Sequence, residues 1–374
     1  MTAHQVKLDT LLVVTPLPDD VLDELRSLFP EVIYHATPPF APYDPSHPIP
    51  TEDDYARADA FFGFAIPNNL KNWQQTPRLK LFQGLSAGYS HITDTPYFKS
   101  IPDDADVIFA SASGIHVRTI GEHVLGTVLM LTHKLAQLHV TLHNERRWVP
   151  HSELGGNFIR ELSELTVGLM GYGHIARETA RLFHSCGSKV LALNRSGKPS
   201  PETGFVIPHT GDPSGSLPAE YFSTESRAST LDFFAQCDVV VNTLPDSEAT
   251  RGFVGREELK AMKASAIYVN IGRGTTTDQE ALIEALKAMA GEGEDEHVTG
   301  TLRIGGASLD VTTPEPLPSS SELYTLPNVV LTPHMSGLSR LYFHRAADVL
   351  KQNAARVSAG RGGLNAFRGR GEDD

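Results

Sequence analysis

Short apolar runs alternate with amphipathic segments from residue 166 onward, and this alternation predicts a parallel sheet with helices on its faces. Six runs of three to five residues, rich in aliphatic side chains, are predicted strands: 166–170, 190–193, 239–242, 266–270, 306–309 and 329–331. Helical segments separate most of these runs. This order is typical of a doubly wound α/β domain.

The beginning of the chain repeats the alternation on a smaller scale. Five runs there indicate a small parallel-sheet domain: 11–15, 32–34, 60–64, 79–83 and 107–109. A chain of 374 residues exceeds what one hydrophobic core normally holds. A helical segment at 341–357 follows the last strand and could return to the first domain. We therefore predict two α/β domains, one formed by residues 1–112 and 336–374 and the other by residues 113–335.

Two kinds of segment depart from this regular order. Apolar side chains occupy nearly every face of a helical segment at 121–142, so we expect one helix buried on more than one side, between domains or between subunits. Segments at 196–229 and 290–303 are rich in Gly, Ser, Pro and acidic residues. They are predicted surface insertions, because the strand series continues after each.

The segment after the strand at 166–170 has the spacing Gly171-x-Gly173-x-x-Ala176 and opens the next helix. In that context Gly171 permits a tight turn, Gly173 lets backbone N–H groups approach a pyrophosphate, and Ala176 allows the helix to pack on the sheet. The helix N-terminus adds unsatisfied N–H groups and a partial positive charge. We predict a Rossmann NAD(P)-binding domain in which these residues contact the cofactor: Gly171, Tyr172, Gly173, His174 and Ile175.

The choice of cofactor depends on the end of the second predicted strand, about twenty residues after Gly173. An acidic residue there would bind the ribose 2′-hydroxyl of NAD, but this chain has Asn194, Arg195 and Ser196. An amide, a guanidinium and a hydroxyl can bind a 2′-phosphate that a carboxylate would repel. We therefore predict NADP(H) in preference to NAD(H). In the alternative interpretation Arg195 only stacks on adenine, and NAD(H) is also used.

Three polar segments follow later strands: NIGRG at 270–274, DVTTPEP at 310–316 and TPH at 332–334. Together with the dinucleotide loop before them, these segments resemble the D-isomer-specific 2-hydroxyacid dehydrogenase family in both residues and order. The resemblance extends over nearly the whole chain from Leu79 onward. It implies a Rossmann NAD(P)-binding domain and a smaller flavodoxin-like substrate domain.

The resemblance also implies how the chain would reduce a 2-oxo acid. Arg273 would bind the substrate carboxylate and polarise the adjacent carbonyl. His334 would be the general acid in reduction and the general base in oxidation. Glu315 would hydrogen-bond the imidazole, set its orientation and favour its protonated form. This chemistry requires no metal, and we predict none.

Further contacts follow from the same resemblance. The loop Ser86-Ala87-Gly88 would meet the substrate carboxylate with its backbone N–H groups, although a plain strand-to-helix turn is the alternative. Additional cofactor contacts would come from residues at strand ends: Leu244, Pro245, Ile271, Asp310 and His334. The chain departs from the family at Ser90, where Asp is common, and at the threonines 275–277, from which we expect only local packing.

These expectations combine into one leading function: NADP(H)-dependent reduction of a small 2-oxo acid, of the glyoxylate or hydroxypyruvate type, to the D-2-hydroxy acid. One alternative is a nucleotide-sensing, corepressor-like binding protein of the same fold. The other is an NAD-dependent D-hydroxyacid or phosphoglycerate dehydrogenase. A phosphorylated substrate is disfavoured, because residues 83–92 contain neither Lys nor Arg.

Composition limits the partners and the compartment. A net charge of −13 disfavours binding to nucleic acid or to an anionic membrane. The two cysteines, Cys186 and Cys237, are too few for a disulfide framework, and we expect both to be buried. The apolar run at 11–14 is too short for a signal peptide. We therefore expect a cytoplasmic protein, and the family resemblance implies a homodimer.

Overall fold

The computed structural model describes residues 7–37, 49–150, 159–288 and 299–371. Within these residues the strands are β1 Thr10–Val14, β2 Glu31–His35, β3 Ala60–Gly63, β4 Leu81–Gly84, β5 Ile108–Ala110, β6 Thr166–Met170, β7 Lys189–Asn194, β8 Glu220–Ser223, β9 Val239–Asn242, β10 Ile267–Asn270, β11 Gly306–Leu309, β12 Val329–Leu331 and β13 Ala366–Arg368. The helices are α1 Asp19–Leu28, α2 Glu52–Arg57, α3 Ser90–Thr93, α4 Pro96–Lys99, α5 Val117–Thr132, α6 Leu135–Asn144, α7 His174–Ser185, α8 Arg227–Gln236, α9 Arg256–Ala261, α10 Gln279–Lys287 and α11 Tyr342–Ser358.

The first of two compact units consists of Met1–Ile115, Thr203–Ile207 and Ser339–Asp374. Its described strands form a six-stranded sheet in the order β13–β5–β4–β3–β1–β2, in which β13 runs antiparallel to β5 and the other pairs are parallel. Three aromatic rings stack across β3, β4 and β5, with centroids 4.8 Å apart for Phe61 and Phe82 and 5.0 Å for Phe82 and Phe109. This aromatic row fixes the centre of the sheet against the helices that cover it.

The second unit consists of His116–Glu202 and Pro208–Leu338. Its described strands form a seven-stranded parallel sheet in the order β12–β11–β10–β9–β6–β7–β8. Hydrophobic clusters lie on both faces of this sheet, which explains why its central strands are almost continuously aliphatic. The strand order reverses between β6 and β9, where a doubly wound sheet opens a crevice at the carboxyl ends of its strands. The predicted fold class, two α/β domains of which one is a Rossmann domain, is confirmed.

The prediction of six strands for this sheet is wrong. The seventh strand, β8, lies inside the segment 196–229 that we predicted to be a surface insertion. β8 forms the edge of the sheet beside β7, and only one of its four side chains is buried. An edge strand with polar ends gives little apolar signal, which is why the sequence pattern missed it. Most of the other predicted insertion, 290–303, lies outside the described residues.

The prediction of one buried helix at 121–142 is also wrong. The segment forms two helices, α5 and α6, which are separated at Lys134, where φ is +54°. α5 packs against α7 and buries Val124 and Val128. α6 buries none of its side chains within the described part of the chain. The apolar residues on all faces therefore belong to two helices with different surroundings. The break between the helices could not be seen in the sequence, because the residue with the left-handed backbone is a lysine and not a glycine.

The two units divide the chain in a way that the sequence did not suggest. The backbone passes from one unit to the other after Ile115, Glu202, Ile207 and Leu338, because Thr203–Ile207 belongs to the first unit. The predicted boundaries at 112/113 and 335/336 stay predictions. Of the two cysteines, Cys237 is buried as expected and Cys186 is exposed. None of the described helices is both long and apolar enough to cross a membrane.

Candidate active site

The glycine loop after β6 has the backbone that its spacing predicts. Gly171 has φ of +78°, and a Cβ there would lie 3.0 Å from the Leu244 side chain, so only glycine fits without strain. Gly173 precedes α7, and a Cβ at this position would meet no atom within 4 Å. The space at the start of α7 is therefore open to a ligand. Ala176, in the first turn of α7, is fully buried. The loop fits a pyrophosphate at a helix N-terminus.

The other predicted cofactor contacts differ in how much side chain they offer. Tyr172 is buried and its hydroxyl donates to Asp212 over 2.7 Å. Only its backbone is therefore available to a cofactor at the start of α7. His174 and Ile175 begin α7 and are half-buried. Leu244, against Gly171, is half-buried and the following Pro245 is exposed, whereas Ile271, after β10, is buried. Their contacts with a cofactor stay predictions.

The loop after β7 presents two cations. The side-chain amide of Asn194 donates to the carbonyl of Lys198 over 2.8 Å and accepts the N–H of Gly197 over 2.7 Å, so Asn194 closes the turn. Arg195, Ser196 and Lys198 are exposed on this turn. Across the described residues, no side-chain partner holds the guanidinium of Arg195 or the ammonium of Lys198. Sequence reasoning missed Lys198, whose place beside Arg195 depends on the turn that Asn194 closes.

The structure brings His334 and Glu315 into direct contact. Nδ1 of His334 lies 2.6 Å from Oε1 of Glu315, and about half of the imidazole stays exposed. His334 follows β12 and Glu315 follows β11, the neighbouring strand in the sheet. Carboxyl ends of parallel neighbours meet at one edge of a sheet, and this explains why two residues nineteen positions apart form a pair.

Asp310 holds the loop that carries His334. Its buried carboxylate accepts hydrogen bonds from the hydroxyl of Thr332 (2.6 Å), the N–H of Met335 (2.9 Å), and the N–H and hydroxyl of Ser336 (3.1 and 2.5 Å). Burial by itself would raise the pKa of Asp310, but these hydrogen bonds outweigh burial and the pKa lies below its ordinary value. His334 has a φ of +50°, which a non-glycine residue adopts only when its surroundings impose it.

This role differs from the cofactor contact that we predicted for Asp310. Both carboxylate oxygens point into the loop after β12, and the Asp310 carbonyl accepts the N–H of His334 over 2.9 Å. Asp310 therefore positions His334 through the backbone. A contact between Asp310 and a cofactor stays a prediction.

Arg273 lies in the loop after β10, against the loop that carries Glu315. A Cβ on Gly274 would overlap the Thr312 carbonyl and lie 2.7 Å from Oγ1 of Thr313, so the two loops touch at backbone level. The half-buried Arg273 donates to the carbonyl of Gly272 over 2.7 Å. The loops of β10, β11 and β12 thus place the three predicted catalytic residues at one edge of one sheet.

We expected only local packing from the threonines after Arg273, but two of them also form buried hydrogen bonds. Thr276 donates its hydroxyl to the Arg273 carbonyl over 2.6 Å and accepts the side-chain amide of Asn242 over 2.7 Å. Thr277 is 2.6 Å from the Tyr268 hydroxyl. These buried hydrogen bonds tie the Arg273 loop to β9 and β10.

The predicted substrate loop belongs to the first unit. Ser86, Ala87 and Gly88 follow β4, and the hydroxyl of Ser86 donates to the Gly88 carbonyl over 2.7 Å. The loop ends where α3 begins at Ser90. Its role as a carboxylate-binding loop stays a prediction. In the residues that the structure describes, no group of three or more His, Cys, Asp or Glu could hold a metal ion.

Comparison with known proteins agrees with this arrangement. Residues 125–336 match the family model described as D-isomer specific 2-hydroxyacid dehydrogenase, NAD binding domain. A glyoxylate reductase of Thermococcus kodakarensis is 31% identical over 291 residues, which cover 74% of this chain and 73% of that protein. A glyoxylate/hydroxypyruvate reductase B of Pectobacterium carotovorum is 31% identical over 269 residues, which cover 70% of each chain.

A solved structure has the same fold at low identity. A D-isomer specific 2-hydroxyacid dehydrogenase of Xanthobacter autotrophicus, in complex with NADPH and MES, superposes with a TM-score of 0.72 at 23% identity and covers 96% of this chain and 98% of that chain. The family match extends over more than half of the present chain and includes the phosphate loop and all three catalytic candidates. The chain therefore belongs to the D-isomer-specific 2-hydroxyacid dehydrogenase family, whose members are NAD(P)-dependent oxidoreductases.

Proposed function

We propose that this protein reduces a small 2-oxo acid of the glyoxylate or hydroxypyruvate type to the D-2-hydroxy acid, with NADP(H) as its cofactor. The observation that carries the proposal is the pair of His334 and Glu315, 2.6 Å apart. The pair and the glycine loop all follow the carboxyl ends of strands in the same parallel sheet. A carboxylate-paired imidazole provides a proton donor at a fixed place. Carbonyl reduction needs such a donor, whereas passive binding of a dinucleotide does not.

The proposed chemistry follows from the hydrogen-bond directions. When Nδ1 of His334 donates to Glu315, Nε2 is left to give a proton to the substrate carbonyl oxygen and to take it back in oxidation. Arg273 binds the substrate carboxylate through its planar guanidinium. The nicotinamide supplies the hydride when the cofactor is bound. Ser86, Ala87 and Gly88 remain proposed substrate contacts.

Preference for NADP(H) is supported by the turn after β7. Arg195, Ser196 and Lys198 offer two cations and a hydroxyl, and the described turn has no carboxylate to repel a 2′-phosphate. Removing either cation, in Arg195→Ala or Lys198→Ala, should raise the Michaelis constant for NADPH about tenfold and change that for NADH little. Equal changes for both cofactors would contradict the assignment.

An assay of the purified protein with NADPH and a panel of glyoxylate, hydroxypyruvate, pyruvate and phenylpyruvate would test the reaction. His334→Ala should lower turnover by roughly a hundredfold or more and leave cofactor binding nearly intact. Glu315→Gln keeps a hydrogen-bond acceptor but removes the charge, so we expect a smaller loss. A protein that binds NADPH and turns over no acid would instead be a nucleotide sensor, and faster turnover with NADH would favour the NAD-dependent alternatives.

We also propose that the protein is a homodimer and that α6 forms part of its interface. Leu135, Val140 and Leu142 on this helix are 48%, 55% and 37% exposed. Large apolar side chains grouped on one exposed helix are typical of a surface that another protein covers. The cytoplasmic location that we expect from the sequence stays a prediction.

A further inference from the structure

The segment between β7 and β8 is anchored to the phosphate-binding helix. Residues 198–202 and 208–217 of this segment, which we call the β7–β8 clamp, lie in the second unit together with α7. The clamp begins at Lys198, the last residue of the turn that presents Arg195. The same helix, α7, starts at the glycine loop. One short stretch of chain therefore connects two places that bind phosphate under the proposed function.

The main anchor is a buried hydrogen bond between Tyr172 and Asp212. Tyr172 stands inside the glycine loop, and its hydroxyl donates to Oδ2 of Asp212 over 2.7 Å. The same carboxylate accepts the N–H groups of Ser216 and Leu217, each over 3.0 Å, which closes the clamp around it. Burial, followed by the hydrogen bond to Asp212, raises the pKa of Tyr172, so the hydroxyl keeps its proton and stays a donor.

A second anchor comes from the beginning of α7. Arg177 is buried, donates to the Asp212 carbonyl over 2.6 Å and to the Ser200 carbonyl over 2.9 Å, and lies 4.9 Å above the centre of the Tyr172 ring. Glu178, also buried, accepts the N–H of Gly211 over 2.9 Å. Arg181 of the same helix pairs with the Glu178 carboxylate over 2.7 Å, whereas the buried Arg177 is held by backbone carbonyls of the clamp. A buried charge such as Arg177 is expensive unless these contacts are made.

The first residues of the clamp are held from two sides. Asn194 holds the Lys198 carbonyl from one side, and Arg177 holds Ser200, two residues further on, from the other. We propose that the β7–β8 clamp, fastened by Tyr172 and Asp212, is a specificity device that positions Lys198 and Arg195 for the 2′-phosphate of NADP(H). Tyr172 and Asp212 are thus positioning residues. The inference rests on the proposed cofactor preference and adds the residues on which that preference depends.

The test compares two tyrosine variants that each lose one hydroxyl. Tyr172→Phe releases Asp212. The control Tyr221→Phe lies beside it, since the two rings pack edge to face, but it keeps the Tyr172–Asp212 hydrogen bond and loses only the bond from its own hydroxyl to the Gly215 carbonyl, 2.7 Å. Dissociation constants for NADPH and NADH are measured by fluorescence titration without substrate. We expect Tyr172→Phe to weaken NADPH binding about tenfold relative to NADH binding, and Tyr221→Phe to leave that ratio unchanged. Asp212→Asn should behave as Tyr172→Phe does.

A double-mutant cycle separates positioning from general loss of stability. Lys198→Ala should weaken NADPH binding in the wild-type background, and have a clearly smaller effect in the Tyr172→Phe background, because the clamp no longer holds the cation in place. Additive effects, or a lower melting temperature with an unchanged NADPH-to-NADH ratio, would overturn the inference alone. A wild-type protein that binds neither dinucleotide would contradict the proposed function itself, and this inference with it.

Discussion

At the scale of single residues, the position of His334 depends on a side chain that does not touch it. His334 has a left-handed backbone, with φ of +50°. On either side of it, the hydroxyl of Thr332 and the N–H groups of Met335 and Ser336 donate to the Asp310 carboxylate. A strained conformation persists only where the surroundings supply more than its cost. The hydrogen bonds to the buried Asp310 carboxylate supply the stabilisation that offsets this strain. The imidazole of His334 then lies within hydrogen-bond distance of Glu315.

Replacing Asp310 by Asn removes the charge and turns one acceptor oxygen into a donor that faces other donors. We expect Asp310→Asn to lower the free energy of unfolding by about 2–3 kcal/mol and to reduce turnover, because the His334 loop loses its anchor. Asp106→Asn is the control, since Asp106 forms exposed ion pairs with Lys80 and Arg370, and each such pair contributes about 1 kcal/mol or less. Urea denaturation and steady-state kinetics measure both effects, and an Asp310→Asn protein as stable as the control would contradict the expectation.

The lowered pKa of Asp310 also predicts how stability depends on pH. A carboxyl group whose pKa is lower in the folded state contributes all of its stabilisation above its unfolded pKa and loses it as the pH falls through the folded pKa. The difference in stability between wild type and Asp310→Asn should therefore be constant at neutral pH. It should shrink as the pH falls below 3.8, the ordinary value for this group. If the stability difference between wild type and Asp310→Asn stayed constant in this acid range, the loss would come from altered packing and hydrogen-bond geometry and not from the carboxylate charge.

At the scale of elements, the loop after β10 is fixed by hydroxyl groups at positions where an aliphatic side chain would also fit in size. Thr276→Val keeps the volume but removes the donor to the Arg273 carbonyl and the acceptor for Asn242. We expect a loss of stability of about 1–3 kcal/mol and a higher Michaelis constant for the 2-oxo acid, because Arg273 is held less firmly.

Thr275→Val is the matched control for this loop, since Thr275 is exposed and its hydroxyl donates to the surface carboxylate of Asp246 over 3.0 Å. We expect little change in its stability or kinetics. Equal effects of the two substitutions would show that the buried hydrogen bonds of Thr276 are not what positions Arg273.

The packing of α8 on β6 gives a second prediction at this scale. A Cβ on Gly168 would overlap Sγ of Cys237 and lie 2.6 Å from the Phe233 ring. Gly168→Ala should therefore destabilise the protein by about 1–3 kcal/mol through overpacking. Gly126→Ala is the matched control on α5, because a Cβ there meets nothing within 4 Å, and the helix should gain stability from alanine. Melting temperatures that moved in the same direction for both would contradict the packing argument.

The sequence predicted buried elements better than exposed ones. The bounds of β6, β9, β11 and β12 agree with the predicted runs, since burial on both faces leaves a clear apolar signal. The edge strand β8 and the helix break at Lys134 left no such apolar signal in the sequence. The motifs located His334 and Glu315, whose contact the structure contains. The parts played by Asp310 and Tyr172 could not be predicted, because both depend on partners far along the chain that only the fold brings near.

At the scale of the whole molecule, the exposed apolar side chains of α6 predict that two copies associate. Leu135 and Leu142 are seven residues apart on this helix and so lie on one face of it. The wild-type protein should have twice the 40.7 kDa mass of the chain in light scattering. Leu135→Ser combined with Leu142→Ser should weaken association by a hundredfold or more, since burying a leucine contributes roughly 1.5–3 kcal/mol.

Leu28→Ser serves as the control for this experiment, because Leu28 is an exposed leucine on α1 in the first unit and should leave the mass unchanged. A wild-type protein that stays monomeric at high concentration would contradict the proposed dimer. A dimer that survives the double substitution would place the interface elsewhere, and the exposed face of α6 would then need another partner to cover it.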